Sequence, residues 1–179
     1  MEAEVSTNTH GSVIRRLSLD DVDVFRRIRL EALSHEQHSF ASAFEDWAQL
    51  SDLEWRQHLD QPFFAAFLDC EPIGLMGLRF RRPRKLVHRA KLVSVYLRKS
   101  ARGTGIATAL LNAVARFARD HGVLQLELAV NAESLPAVRF YQRHGFVEVG
   151  RIPNGLLGHD PAPAELIMVL PLAEKRSAT

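Results

Sequence analysis

A single cysteine, Cys70, occurs in the 179 residues. One thiol cannot build an internal disulfide framework or a cysteine-based zinc cluster. No run of 18 apolar residues occurs, so there is no candidate for a membrane-spanning helix and no membrane partner is expected. Residues Met1 to Ser12 are polar and carry no apolar stretch of signal-peptide type, so the cytoplasm is the expected compartment. An excess of one charge sign is lacking too: Lys+Arg number 23 and Asp+Glu 21, a formal +2 with His neutral. That argues against nucleic acid as a partner, because such binders carry a strong basic excess. A phosphate loop of the form G-x-x-x-x-G-K-[ST] is also missing.

What is present is enough apolar residue, 46% against 25% charged, to bury the core of one ordinary domain. With no Pro/Gly/Ser linker and no repeat, one domain over residues 13–172 is expected, between a flexible N-terminus, 1–12, and a flexible tail, 173–179.

The apolar spacing predicts the elements. Val13 to Leu17 reads as a strand. Ser18 and Asp21 form a capping-box signature. Val22, Phe25, Ile28 and Ala32 then recur at helical spacing up to about Leu33. His35 to Ala48 reads as a loop or short helix, and Ser51 opens a helix to about Leu59. Phe63–Leu68 and Ile73–Phe80 are strands about a turn at Cys70-Glu71-Pro72. Arg81–Lys85 is a polar hairpin tip, and Leu92–Leu97 is the next strand. Ile106, Leu110, Val114 and Phe117 mark a helix ending at Gly122, and Leu124–Val130 a strand. Ser134 can cap a helix carrying Val138 and Tyr141 that stops at Gly145; Phe146–Ile152 and Leu166–Leu170 are late strands. The order β-α-α-β-β-β-α-β-α-β-β is that of an α/β (α+β) domain with a mixed sheet and helices on both faces.

Arg102-Gly103-Thr104-Gly105, between a strand and a helix, suits a phosphate group. Glycines let the backbone come close, and free N–H groups at a helix start point at the anion. A plain structural turn is the alternative. A dinucleotide fingerprint is weakened by Thr108 at its third glycine position and by the loop's place after the fourth strand, although Glu127 lies where a ribose-binding acid would stand.

The run Arg102-Gly103-Thr104-Gly105-Ile106-Ala107 has the form [QR]-x-x-G-x-[GA], which resembles the acetyl-CoA motif of the GCN5-related N-acetyltransferases, the GNAT family. The stretch from Asn131 through Ser134, Ala137, Phe140, Tyr141 and Gly145 to Phe146 resembles that family's second block, N-x-x-A-x-x-x-Y-x-x-x-G-F. The resemblance runs over roughly Val13 to Leu172. It implies a three-layer α/β/α sandwich whose mixed sheet is splayed at its centre, between Leu92–Leu97 and Leu124–Val130. It also implies an enzyme, an acetyltransferase moving the acetyl group of acetyl-CoA to a primary amine of a small molecule or peptide by direct attack. Under it, backbone groups of Val95, Tyr96 and Leu97 pair with the pantetheine arm, and Arg102, Gly103, Thr104, Gly105, Ile106, Ala107 and Thr108 surround the pyrophosphate. Asn131 and Ser134 fix the far side of the arm, and Tyr141 returns a proton to the CoA thiolate. No metal is implied, and a homodimer is a common arrangement among relatives.

Two departures stand out. The family's usual second-block asparagine aligns with Ser134, and the position of its frequent basic acid falls near Lys91. The base is therefore open among Glu127, Glu31, Glu165 and a water chain, and a catalytically silent acyl-CoA-binding sensor is the alternative function. Cys70 reads as an idle thiol, and His35 with His38 as a solvated loop pair. Arg79, Arg81, Arg82, Arg84, Lys85 and Arg89 read as a solvated edge or a contact to the CoA ribose phosphate. Phe40, Phe44 and Trp47 either line an acceptor pocket or pack in the core. The acceptor itself is not specified by any motif.

Overall fold

The computed structural model describes residues 6–7, 11–156 and 162–172. The expectations for the rest of 1–12 and for 173–179 lie outside the described residues. In chain order the strands are β1 (Ser6–Thr7), β2 (Val13–Arg16), β3 (Phe63–Leu68), β4 (Glu71–Phe80), β5 (Arg89–Leu97), β6 (Gln125–Asn131), β7 (Val147–Ile152) and β8 (Glu165–Pro171). The helices are α1 (Val22–His35), α2 (Phe44–Ala48), α3 (Asp52–His58), α4 (Ile106–Asp120) and α5 (Leu135–Arg143). Ser6–Thr7 is a short strand paired antiparallel with β2, within a stretch expected to be loose.

Tertiary contacts divide the chain into two units, Met1–Arg79 with Leu92–Phe117, and Phe80–Lys91 with Ala118–Thr179. The division passes through β4, β5 and α4. In the first unit β1, β2, β3 and β4 follow one another as antiparallel neighbours, with β5 next to β4. In the second, the start of β5 pairs parallel with β6, β6 pairs antiparallel with β8, and β8 with β7.

Local chemistry accounts for the boundaries. The β3–β4 turn is made by Asp69 and Cys70, both at positive φ (49° and 66°), so β4 already begins at Glu71. The expected turn at Cys70–Pro72 is thereby corrected. Two left-handed residues make the tight loop whose twist suits an antiparallel pair, and Pro72 falls inside the strand. Ser18 gives α1 its entry: its N–H and hydroxyl both donate to the Asp21 carboxylate, at 2.8 and 3.0 Å. A single 3-10 turn, Leu19–Asp21, precedes α1. Ser51 repeats the device for α3, its N–H and hydroxyl donating to Glu54 at 2.7 Å.

The core of the first unit is aromatic. Phe25 on α1 is fully buried, with Phe63 at 4.5 Å and Trp55 at 5.5 Å between ring centroids. Ile28, Ala32, Leu75, Ala65 and Tyr96 belong to the same cluster. In the second unit Leu126 and Met168 are fully buried, and Tyr141 meets Phe146 edge-on at 5.3 Å. Edge-on contact sets the positive ring edge on the negative face, which adds to the area buried.

Asp21 also takes both guanidinium nitrogens of Arg15, at 2.8 and 2.6 Å. The Arg15 hydrogen bonds pull its carboxyl down to about 2, against burial and with help from Ser18. A carboxyl lowered by folding stabilises the fold above its unfolded pKa and loses that contribution as pH falls toward the folded value. Asp21→Asn is expected to cost about 2 kcal/mol at pH 7. The difference from the parent should shrink to near zero between about pH 4 and pH 2, as read by urea unfolding at stepped pH.

Candidate active site

In the first unit, β5 leads through a 3-10 turn (Lys99–Ala101) and the extended Arg102 into Gly103 and Gly105, which sit at φ 80° and 87°. These angles turn the chain into α4, and only glycine takes them without strain. A Cβ placed on either glycine would meet nothing within 4 Å, so the space over the loop is open. Thr104 Oγ donates to the Ala101 carbonyl at 2.6 Å, and the Ala109 N–H reaches the Gly105 carbonyl at 3.0 Å as the first helical bond. Among the described residues no acceptor meets the N–H groups of Gly103, Thr104, Gly105, Ile106 or Ala107. Unpaired amides at the positive end of a 15-residue helix form a seat for an anion. The Arg102 guanidinium is tied back: Nε donates to the Leu97 carbonyl at 3.1 Å and Nη2 to Glu36 at 2.6 Å. The Arg102 N–H is taken as well, by the Lys99 carbonyl at 3.2 Å, so the free donors of the loop begin at Gly103.

β5 itself carries a feature that periodicity did not signal. Ser94 sits at φ 53° in mid-strand, left-handed for a residue with a Cβ. Beyond it, Tyr96 is buried and its hydroxyl donates to Glu31 Oε1 at 3.0 Å. Arg98 clamps the same carboxylate with Nε and Nη2, both at 2.7 Å. The Arg98 hydrogen bonds outweigh burial and hold the Glu31 carboxyl below its ordinary range. Burial, with Glu31 beside it, pushes the Tyr96 phenol up to about 12. Val95 and Leu97 flank Tyr96 and are half-buried.

In the second unit, the parallel ladder of β5 and β6 has three pairs, Arg89↔Gln125, Ala90↔Leu126 and Lys91↔Glu127. It ends there, although β5 runs on to Leu97 and β6 to Asn131. On its other side β6 keeps β8 for seven pairs, to Asn131↔Glu165. The Glu127 carboxylate is 9% exposed and receives Arg81 Nη2 at 3.0 Å together with Arg89 Nε. Burial drives this carboxyl up, but the Arg89 and Arg81 hydrogen bonds prevail and leave it low. Arg81 and Arg89 are therefore a counter-charge for Glu127, which corrects the reading of the basic hairpin as merely solvated or cofactor-facing.

Asn131 is buried, and its Oδ1 accepts from the Glu133 N–H at 2.8 Å, so it shapes the turn into α5. Ser134 stands at the N-cap of α5 but makes no capping bond with its side chain. Pro136, at the second helical position, has no N–H to offer it. Tyr141 is 6% exposed on the inner face of α5, and burial raises its phenol well above the usual value. Cys70 is exposed at the hairpin turn. Among the described residues no cluster of three His, Cys, Asp or Glu could hold a metal, and no helix is long and apolar enough to cross a membrane.

The model of the acetyltransferase (GNAT) family matches residues 27–146. An uncharacterized N-acetyltransferase of Methanocaldococcus jannaschii is 28% identical over 138 residues, 75% of this chain, which spans 60% of that relative's length. An N-alpha-acetyltransferase of Sulfurisphaera tokodaii is 27% identical over 76% of this chain and 80% of its own. Among solved structures, a GNAT-family acetyltransferase from Streptococcus pneumoniae superposes with a TM-score of 0.81 at 22% identity, over 90% of this chain and 99% of that one. The yncA protein of Salmonella typhimurium, solved with its cofactor acetyl-CoA, gives 0.74 at 18% identity, over 97% and 99%. The fold is the mixed α/β fold of those acetyltransferases. The chain belongs to the acetyltransferase (GNAT) family.

Because the space over Gly105 is open, substitution there acts through backbone strain rather than collision. Gly105→Ala is expected to cost about 1–2 kcal/mol in the loop geometry. It should raise the acetyl-CoA KM at least tenfold in a thiol-release assay while leaving the far-ultraviolet circular dichroism spectrum unchanged.

Proposed function

We propose that this protein is an N-acetyltransferase that moves the acetyl group of acetyl-CoA to a primary amine by direct attack. The observation that carries the reading is the row of amides from Gly103 to Ala107 with no acceptor, under open space, at the start of α4. In this reading the diphosphate of acetyl-CoA takes those N–H groups, and the pantetheine amides lie along Val95–Leu97. A pantetheine arm added to a strand edge supplies the hydrogen bonds a missing neighbour would have made. Ser134, whose hydroxyl the helix does not use, is the second-block group with a side chain to offer the arm. Asn131 contributes by holding the turn.

A lysine-type amine is about one part in two thousand neutral at pH 7, which costs roughly 4–5 kcal/mol before attack. Glu31 and Glu127 are not disposed to remove that proton. Each already accepts from two cationic partners or an arginine fork, and each is held below the ordinary carboxylate range. Proton removal is therefore left to water or to Glu165, half-buried opposite Asn131. The β5 backbone near Val95 is assigned the oxyanion, where a fixed N–H dipole needs no reorganisation. Tyr141 is assigned the proton returned to the thiolate. Its raised pKa keeps the proton in place across the working range, but makes the transfer uphill by more than about 2 kcal/mol to a thiolate of ordinary basicity. Alignment with the sulfur must supply what acidity does not.

Binding of acetyl-CoA by calorimetry and thiol release with a panel of primary amines test the reading. Micromolar binding with turnover of at least one amine is expected; tight binding with no amine turned over would instead support the silent sensor. Tyr141→Phe is expected to lower kcat about 10- to 100-fold with the acetyl-CoA Kd changed less than threefold. With Glu31 and Glu127 ionised throughout, log kcat/KM for a lysine-type amine should rise with unit slope from pH 6 to 9. A plateau opening between pH 6 and 7 would indicate a side-chain base that titrates there.

A further inference from the structure

Among the described residues of the first unit, Arg15 has Asp21, Arg98 has Glu31 and the more exposed Arg102 has Glu36. Arg29 does not. It lies on the buried face of α1 beside Phe25, Ile28 and Ala32, and it is 3% exposed. Its Nε and Nη1 are sealed from solvent with no hydrogen-bond partner. Two aromatic rings enclose the guanidinium, Phe40 with its centroid at 4.9 Å and Trp47 at 4.4 Å. Trp47 is in turn stacked on His58 at 4.3 Å. The remaining charges add to the imbalance. Burial, then Arg79, lowers Arg29 to about 10, so it stays cationic at neutral pH. Burial, then Arg79 and Arg29, disfavours the charged form of His58. Glu54 partly offsets this at His58, but among the described residues no carboxylate is paired with Arg29. Phe40, Trp47 and Val93 of β5 pack against the same apolar cluster, so the spot adjoins the strand assigned to the acetyl carrier.

We propose that Arg29, walled by Phe40 and Trp47, is the seat for an oxyanion carried by the acceptor, so that the substrate is a primary amine bearing a carboxylate or a phosphonate-type group. The unpartnered Nε–H and the Nη1 N–H groups each offer a charge-assisted hydrogen bond to an oxygen of such a group. The aromatic walls keep water out and strengthen the attraction. Phe40 and Trp47 thereby serve the pocket and the core together.

The proposal rests on the acetyl-transfer reading for the word acceptor, and its test separates the two. Acetate, methylphosphonate and inorganic phosphate are titrated into the full-length protein without acetyl-CoA, against chloride at equal ionic strength. The Arg29 Nε–H resonance, assigned by its contacts to the Phe40 and Trp47 ring protons, is followed together with the thermal midpoint. A saturable shift with at least one oxyanion and none with chloride is expected; no saturable shift with any of the three overturns the proposal. In the second arm, thiol release is measured with matched pairs of amines, each carboxylate or phosphonate against its neutral amide. Wild type should prefer the anionic member at least tenfold in kcat/KM, and Arg29→Gln should bring the ratio to within threefold of one. Equal use of both members by wild type also overturns it, whether or not the variant folds. Saturable oxyanion binding with no amine acetylated would sink acetyl transfer and leave the anion seat standing.

Discussion

A backbone N–H removed from water needs an acceptor, and this fold withholds acceptors in one place. At the head of α4, five consecutive amides are gathered by two left-handed glycines and given no carbonyl of their own. A chain that required them only for a turn would have closed them with a serine, threonine or aspartate cap, as it does at Ser51, whose hydroxyl accepts from the Glu54 N–H. Here the Thr104 hydroxyl points back and donates to the Ala101 carbonyl, and among the described residues none of these amides reaches it. The open donors and the Gly103–Gly105 backbone belong to one arrangement, and in the proposed function an anionic diphosphate is the partner that completes it.

The periodic parts of this arrangement were legible in the residues. α1, α4, β3 and the strand after Gly122 are where their apolar spacing put them, because each buries a wide apolar face whose pattern survives any detail of packing. The glycine loop was legible too, since few other residues take positive φ. What could not be read were features set by tertiary partners. Nothing in the local sequence at Ser94 asks for a left-handed residue in mid-strand. Nothing at Glu31 or Glu127 reveals that arginines 67 and 38 positions away hold those carboxylates. Three acids looked equivalent as bases; long-range ion pairing separates two of them from the third. Ser134 shows the converse error: the residue type suited a cap, but its side chain makes no capping bond, and Pro136 takes away one of the two amides a cap can use.

The charge pattern follows from this pairing. A near-neutral chain could have dispersed its ions over the surface, where each pair contributes little. Instead Glu31 and Glu127 sit low in exposure, Glu31 held by Tyr96 and Arg98 and Glu127 by Arg81, Arg89 and Gln125, which fixes the ends of β5 and the start of β6. Both carboxylates are thereby spent on position rather than proton transfer. In the proposed reaction the attacking amine then loses its proton to something weaker or more distant, and the barrier falls on the free amine fraction and on alignment rather than on a tuned base.

Arg29 is the exception that the same logic isolates. Leaving a cation unpaired in an apolar interior costs several kcal/mol even after relaxation. Two ring faces return about 2 kcal/mol or somewhat more when desolvated. Methionine or leucine at this position of α1 would fill the space beside Phe25 and Ile28 without that deficit, as replacement of buried ions by apolar residues often does. The deficit is therefore a property of the unliganded state, and an oxyanion entering between Phe40 and Trp47 would remove it. An acceptor anchored there by its charge leaves its amine free to turn toward β5, so that specificity and alignment come from one contact.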